Sequence, residues 1–429
     1  MDWYEEKARK LKITNSVDVL VTGAGPSGVA AALAAARLGA NTMLIERQGV
    51  LGGISTSGLM SHWTGSVNSG LYDEILQRSA ARNEGEYKDK VTVIIDPEKL
   101  QTLYADMLCE AGVKLGLYTL ASDAVTENNK VQGAIVESKS GREAILAKVV
   151  VDASGDGDLA ARAGAAYVKG RESDGKMQPV TVMFKVAGVD TERAVFLNAF
   201  ESLCHTEKGE LQALAKQHIS HPAGHVLLYR ATLPGVVTCN MTNCVGIDGT
   251  NAEDLTRAEL VCRKQIGEII AFLREYAPGY EHCFLMNSAA LIGVRETRRF
   301  KGLYTLTEQD ILEARVFDDW VVRDASFNFD VHNITGAGLD ETGVQKEFRQ
   351  TAGYTIPYRC LVPEKTDGLL LCGRNISGTH MAHSNYRAMP ICAAIGEASG
   401  TAAAIACRMG VEPREVKAEE IQKCLTAVR

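Results

Sequence analysis

The sequence predicts an α/β protein in which a helix-covered parallel sheet, joined to an antiparallel β-meander, carries an inserted α+β domain. Three observations predict it. Near the N-terminus a short β-branched run passes through a glycine-rich turn into an Ala/Leu-rich helix and then a second apolar strand. Near the C-terminus another apolar strand passes through a glycine turn into a helix rich in small residues. Between them, from about Lys169 to Pro363, the pattern changes to scattered strands and one long amphipathic helix. A chain of 429 residues exceeds one core at about 100–200 residues per domain. The division expected is 1–168, 169–363 and 364–429, with the last segment returning to the first domain.

Composition narrows the classes. Hydrophobic residues make up 46% and charged residues 23%, the balance of a globular chain. A net charge of −7 argues against nucleic acid, whose phosphates require a basic face. No apolar run approaches the roughly eighteen residues of a membrane span. The stretch Val29–Ala36 follows a strand and a turn and lacks a basic leader, so the cytoplasm is the expected compartment. The eleven cysteines contain no C-x-x-C spacing, which disfavours zinc ribbons and iron–sulfur clusters and fits a reducing compartment. Cys239 and Cys244 read as core thiols. His218, His221 and His225 read as a solvated loop, because Pro222 and Gly224 break any helix that would align them as ligands.

The first element is the strand ending at Val21, followed by Gly23-Ala24-Gly25-Pro26-Ser27-Gly28, a helix stopping at Gly39, and the strand Thr42–Ile45 ending at Glu46. Strand, G-x-G-x-x-G, helix, strand and acid together form the Rossmann-like dinucleotide fingerprint. Gly23 makes the tight turn, Gly25 admits the pyrophosphate to the backbone, and Gly28 lets helix pack on strand. The helix N-terminus offers N–H groups and partial positive charge to the phosphates. Glu46 stands where a carboxylate accepts hydrogen bonds from a ribose diol. The loop Leu51-Gly52-Gly53-Ile54-Ser55-Thr56-Ser57-Gly58 favours FAD over NAD, because an extended FAD needs further backbone close to its ribityl and ring portions.

Asp96-Pro97 starts a helix with Leu100, Leu103, Tyr104 and Met107 at helical spacing. Short strands follow at Val113–Tyr118, Val131–Val136 and Ala144–Leu146, with turns at Asn128-Asn129 and Ser140-Gly141. The strand Lys148–Val151 then ends in Asp152-Ala153-Ser154-Gly155-Asp156-Gly157-Asp158. The three aspartates read as a polar turn capping the next helix, since calcium-loop spacing is absent.

In the inserted domain, strands are expected at Val180–Val186 and Val226–Tyr229, and a helix from Asp254 to Tyr276. The run Arg295-Glu296-Thr297-Arg298-Arg299 is either an anion site or a structural salt-bridge cluster. Asp330-Val331-His332 places an imidazole beside a carboxylate, on one face if the segment is a strand. At the C-terminus the strand Gly368–Cys372 meets Gly373-Arg374-Asn375, then His380, His383 and Arg387. Met389-Pro390 follow and open a helix that runs from Ile391 to Ala406, so rich in Ala and Gly that something must pack closely on it.

The two terminal blocks, with Gly293–Arg299 and Tyr304-Thr305-Leu306-Thr307, resemble the FAD-dependent oxidoreductase family. That family has the glutathione-reductase-type FAD fold and is distantly related to the succinate dehydrogenase/fumarate reductase flavoproteins. The resemblance covers nearly the whole chain. It implies non-covalent FAD held by Gly23, Gly25, Pro26, Ser27, Gly28, Glu46, Arg47, Gly52, Gly53, Ser55, Thr56, Ala121, Ala153, Ser154, Gly155, Gly373, Arg374, Met389 and Pro390. Ala153-Ser154-Gly155 matches the family's Ala-Thr/Ser-Gly turn, and the backbone near Ala121 would flank the adenine. In the fumarate reductase relatives an arginine of the closing block holds a substrate carboxylate. Arg387 is the nearest match, although Tyr386 and Met389 depart from that pattern.

The function expected is hydride transfer between a small anionic organic substrate and the flavin. His380 or His383 would exchange the proton, Arg295, Arg298 or Arg387 would orient the anion, and His332 is a further acid/base candidate. Three alternatives stand beside it: a flavoenzyme without net redox (isomerase or lyase), an NAD-dependent dehydrogenase, and a flavin subunit of an electron-transfer complex. The reading includes no metal, no nucleic acid and no membrane span; it leaves room for an electron-transfer partner and a homo-oligomer.

Overall fold

A computed structural model describes residues 3–82, 92–197, 199, 202–339 and 349–427. The main sheet runs, in spatial order, Lys114–Gly116, Thr42–Ile45, Lys12–Thr22, Gly141–Asp152, Lys130–Ser138 and Leu120–Glu127, with Leu369–Leu371 also paired to Gly141–Asp152. The first four strands and Leu369–Leu371 are parallel. The segments Leu120–Glu127, Lys130–Ser138 and Gly141–Asp152 form the antiparallel meander.

Two expectations need correcting here. Ala144–Leu146 and Lys148–Val151 are one unbroken strand: Lys148, which interrupts the apolar run, stays in it, and its ammonium pairs with Asp18 of the neighbouring strand at 2.8 Å. The strand Leu120–Glu127 was not anticipated; it lacks a buried apolar face, and its residues are half-buried or exposed. The turn Asn128-Asn129 is as expected, both residues standing at positive φ, 49° and 65°.

The apolar parts gather into two cores. The second holds Val180, Phe184, Leu228, Val237, Ile266, Ile269 and Leu273, among others up to Ala289. Its sheet is antiparallel, ordered Leu228–Arg230, Val237–Cys239, Phe184–Ala187, Phe284–Ser288. The helix Ala252–Tyr276 covers it, begun by Asn251, whose side chain accepts from the N–H groups of Glu253 and Asp254. This is the α+β insertion, but its extent differs from 169–363. Phe300, Leu306, Val321, Tyr354, Ile356 and Val362 are buried in the first core, and Trp320–Ser326 pairs with Ser66–Asn68 as well as with Tyr354–Pro357. Sequence distance concealed that pairing.

The Ala/Gly-rich closing helix extends over Met389–Met409 and packs on the first helix, Pro26–Arg37. The contact is backbone to backbone: a Cβ at Gly396 would lie 2.1 Å from the Ser27 oxygen, and one at Gly400 would lie 2.0 Å from that of Ala31. By length and mean composition this helix is apolar enough to cross a membrane, a property that a search for an unbroken apolar run does not register. Its Ala, Ile, Cys and Met residues keep the mean hydropathy high while Gly, Ser, Thr and Glu397 interrupt any apolar stretch, and the helix is buried inside the protein.

Candidate functional site

The glycine turn lies at the carboxyl end of Lys12–Thr22, where ligands of open α/β sheets bind. Gly23 has φ +93°, and a Cβ there would meet the Ala153 oxygen at 2.6 Å. A Cβ on Gly28 would fall 1.9 Å from the Gly23 oxygen. Gly25 differs: it ends the turn just before the first helix, Pro26 occupies the first turn, and a side chain at 25 would meet no protein atom within 4 Å. Two glycines thus serve packing, and one leaves the helix N-terminus open to a phosphate. Glu46 accepts from the Ala24 and Gln48 N–H groups at 2.8 and 2.9 Å, which fixes its carboxylate beside the turn. Arg47 next to it is exposed.

The second glycine loop folds onto this turn. Gly52 N–H donates to the Ala24 oxygen at 2.7 Å, and Gly53 comes so near Gly25 that its Cβ would be 3.2 Å from the Gly25 Cα. The Ser55 and Thr56 hydroxyls donate to the Gly52 and Leu51 oxygens at 2.7 and 2.6 Å, so they shape the loop. Ala121 lies in the meander, its oxygen accepting from Arg162.

The C-terminal block completes the wall. A Cβ on Gly373 would lie 2.6 Å from the Ser27 hydroxyl oxygen, and Asn375 donates to the Asp152 oxygen at 2.9 Å. Arg374 bonds Asp156 at 2.8 Å with its guanidinium against Gly155. Asp152 is fully buried and accepts from Ser154 and from Ala160 N–H; burial raises its pKa. Asp156 and Asp158 receive Thr297 and Arg298. The aspartates are therefore cap and ion-pair partners. Among the described residues no three His, Cys, Asp or Glu side chains form a metal cluster. His218 and His221 are exposed, but His225 is buried against the Asn240 oxygen at 3.0 Å, which corrects the reading of all three as solvated.

His380, His383 and Arg387 recur at i, i+3 and i+7, one face of the short helix His380–Tyr386 and its C-cap. His380 Nδ1 lies 2.8 Å from Glu296, which also pairs with the fully buried Arg299 and accepts from Gln178 N–H. His383 has neither ring nitrogen bonded, and burial together with the charges of Arg299, Arg387 and Arg374 holds its pKa well below the usual histidine range. Arg387 Nη2 reaches the Asp330 carboxylate at 2.6 Å, and His332 Nε2 lies 3.2 Å from the same oxygen. The pair Asp330/His332 thus forms although residues 327–331 are irregular rather than a strand. Burial opposes ionisation of Asp330, but His332, Arg387 and Arg295 pull its pKa well below the carboxylate range.

Arg295 bonds the Pro179 oxygen at 2.7 Å, and burial and Arg387 push its pKa down to about 10. Burial lowers His62 and His332 to about 4 and His225 to about 3. His62 stacks on Tyr229 with centroids 4.5 Å apart. At neutral pH these imidazoles are uncharged, so that, among the described residues, Arg295 and Arg387 face one carboxylate, that of Asp330. Arg298, by contrast, is consumed by Asp158 at 2.9 Å and the Asp156 oxygen, and does not join them.

Sequence reasoning missed Glu296 as partner of His380, Asp330 as the centre of the arginines, and Gln178, which donates from its backbone to Glu296 and accepts His332 N–H. Only the i, i+3, i+7 spacing was a usable signal.

The residues present fit an FAD. A phosphate-ready helix end is open at Gly25, and Arg374 Nη1, Arg387 Nε, both His383 nitrogens and Gln178 Nε2 are buried without a protein partner. Such groups are rarely left so unless a ligand satisfies them.

The family described as FAD dependent oxidoreductase matches residues 18–425. Among curated relatives, a thiamine thiazole synthase of Methanococcus maripaludis is 27% identical over 147 residues, 32% of this chain and 56% of that one. A digeranylgeranylglycerophospholipid reductase of Picrophilus torridus is 27% identical over 154 residues, 32% of this chain and 39% of that one. The chain spans about half the length of the curated relatives it matches. Among solved structures, a geranylgeranyl bacteriochlorophyll reductase-like protein of Thermoplasma acidophilum has a TM-score of 0.51 at 14% identity, covering 96% of this chain and 83% of that one. A p-nitrophenol 4-monooxygenase of Pseudomonas putida has a TM-score of 0.50 at 10% identity, covering 96% and 84%. At these identities the likeness speaks for the fold.

Proposed function

Because the chain belongs to the family of FAD dependent oxidoreductases, we propose that it exchanges a hydride between FAD, held non-covalently, and a small organic anion bound beside Arg295, Arg387 and Asp330. The observation that carries the reading is the charge balance there among the described residues: two arginines and one carboxylate, with His62, His225 and His332 kept neutral by burial. A partly buried positive charge is costly unless an anion joins it.

Bound FAD supplies the hydride acceptor or donor. Asp330 holds Arg387 in a fixed orientation, and Arg387 and Arg295 receive the anionic end of the substrate. Glu296 accepts from His380 Nδ1, which sets the tautomer and leaves Nε2 as the atom that takes up or returns the substrate proton. His383, kept neutral among three arginines, serves as a hydrogen-bonding group rather than a base.

The test is the visible spectrum of the purified protein, taken again on the supernatant after acid precipitation, followed by anaerobic bleaching with a panel of carboxylic and hydroxycarboxylic acids. Flavin bands in the supernatant and bleaching by an anionic member, lost in Arg387→Ala, support the reading. Bleaching by uncharged analogues with equal efficiency removes its basis.

A further inference from the structure

The antiparallel sheet of the insertion has two faces. Leu228, Cys239 and Phe184 stand opposite one another in the ladder and lie in the second core, under the helix Ala252–Tyr276. Side chains alternate along a strand, so the next rung, Tyr229–Thr238–Lys185–Asn287, turns to the other face. That face meets the segment after the second glycine loop: the Thr238 hydroxyl lies 3.4 Å from that of Ser61, and Tyr229 stacks on His62. Tyr229 also feels the charges of Asp330 and Arg295, so one end of the rung adjoins the anion site. Asn287, at the other end, is exposed.

Lys185 stands between them and is 7% exposed. Burial lowers its pKa, and Asp96 and Glu98 oppose that through charge alone, without a hydrogen bond. Asp96 is already engaged: its carboxylate accepts from the Glu98 and Lys99 N–H groups and from the Thr232 hydroxyl. Among the described residues no acceptor meets the Lys185 ammonium, and a buried donor left so is costly unless a ligand satisfies it. We propose that Lys185 binds a second acidic group of the substrate, at the end of the molecule away from Arg387 and Arg295. The inference rests on the reading of those arginines as an anion site. Ladder neighbours are about 4.8 Å apart, which sets Lys185 about 10 Å from Tyr229 across two strand spacings. The substrate is then an extended dianion, its acid groups on the order of 10 Å apart, a span that a short diacid such as succinate does not cover.

The experiment titrates the FAD-loaded enzyme by calorimetry with suberate, octanoate and succinate. Suberate and octanoate share a chain length and differ in the second carboxylate. The expected result is that suberate binds about tenfold tighter than either of the others. Lys185→Met should bring suberate down to octanoate, while octanoate keeps its native affinity. Lys185→Gln should do the same; FAD content and the melting midpoint of both variants guard against a folding defect. Equal affinity for suberate and octanoate in the native enzyme, with both lost in Arg387→Ala, overturns the inference and leaves the anion site standing. A preference for suberate that survives both Lys185 variants also overturns it, as does succinate binding as tightly as suberate. Octanoate binding that persists in Arg387→Ala overturns the underlying reading and this inference with it.

Discussion

Arg387 Nη2 lies 2.6 Å from the Asp330 carboxylate and 2.8 Å from the Asp330 main-chain oxygen, joining the helix His380–Tyr386 to an irregular segment of the middle region. The second bond matters because it orients the guanidinium as well as neutralising it. A lysine keeps the charge but cannot reproduce the planar geometry. Arg387→Lys is expected to raise KM for the anionic substrate by about tenfold or more while FAD content stays native. Steady-state kinetics beside the flavin-to-protein absorbance ratio checks this; an unchanged KM removes Arg387 from the substrate.

Acid should unfold the protein early. His62, His225 and His332 have folded-state pKa values of about 4, 3 and 4, each depressed by burial from 6.5. The unfolded chain binds protons that the folded one refuses, so their contribution is full above pH 6.5 and is lost as pH falls toward 4. Each is worth on the order of 3 kcal/mol at neutral pH. His62→Phe keeps a ring against Tyr229 and removes one titration, so the melting midpoint plotted against pH should fall less steeply between pH 6.5 and 4. An equally steep acid limb would show that other groups drive it.

Two glycine-to-alanine changes in helices should act in opposite directions. At Gly396 the new methyl meets the Ser27 oxygen at 2.1 Å, and relief requires parting the first and closing helices. The expected cost is about 1–3 kcal/mol or more, with loss of FAD. At Gly267, in the exposed face of Ala252–Tyr276, nothing lies within 4 Å. There alanine should stabilise by about 0.5–1 kcal/mol through helix propensity. Urea unfolding of both variants decides it.

Glu296→Leu should destabilise by up to about 3–5 kcal/mol, since it leaves the fully buried Arg299 only the exposed Glu172 carboxylate and the Gly170 and Gly378 oxygens. Adding Arg299→Met should recover much of that loss. A double variant as unstable as the sum of the single ones would mean the two charges act independently. In the single variant His380 also loses its carboxylate partner, and turnover should fall more than FAD binding does.

Much of the cofactor site could be read from the chain because each part is local. Gly23, Gly25 and Gly28 sit in one turn, and Glu46 closes the next strand, so periodicity and spacing state their roles. The small residues of Met389–Met409 announced close packing, and Gly396 against Ser27 shows what they meet. The candidate catalytic groups are legible only as residue types. Arg295 and Arg298 are three positions apart in one run, yet one faces Arg387 and Asp330 while the other pairs with Asp158. Nothing in a run of charges says which of its members is already neutralised.

The sequence by itself determined the parallel sheet, the dinucleotide turn and the two-ended construction of the cofactor domain. All of these follow from backbone periodicity, glycine positions and apolar runs of a few residues. Only the tertiary structure decided that Phe300, Val321, Tyr354 and Val362 belong to the first core, that Glu296 holds His380, and that Arg387 and Arg295 gather about Asp330. These contacts join residues from about 35 to more than 80 positions apart. Burial and charge there are properties of the surroundings, set when the two cores close on one another rather than by any segment alone.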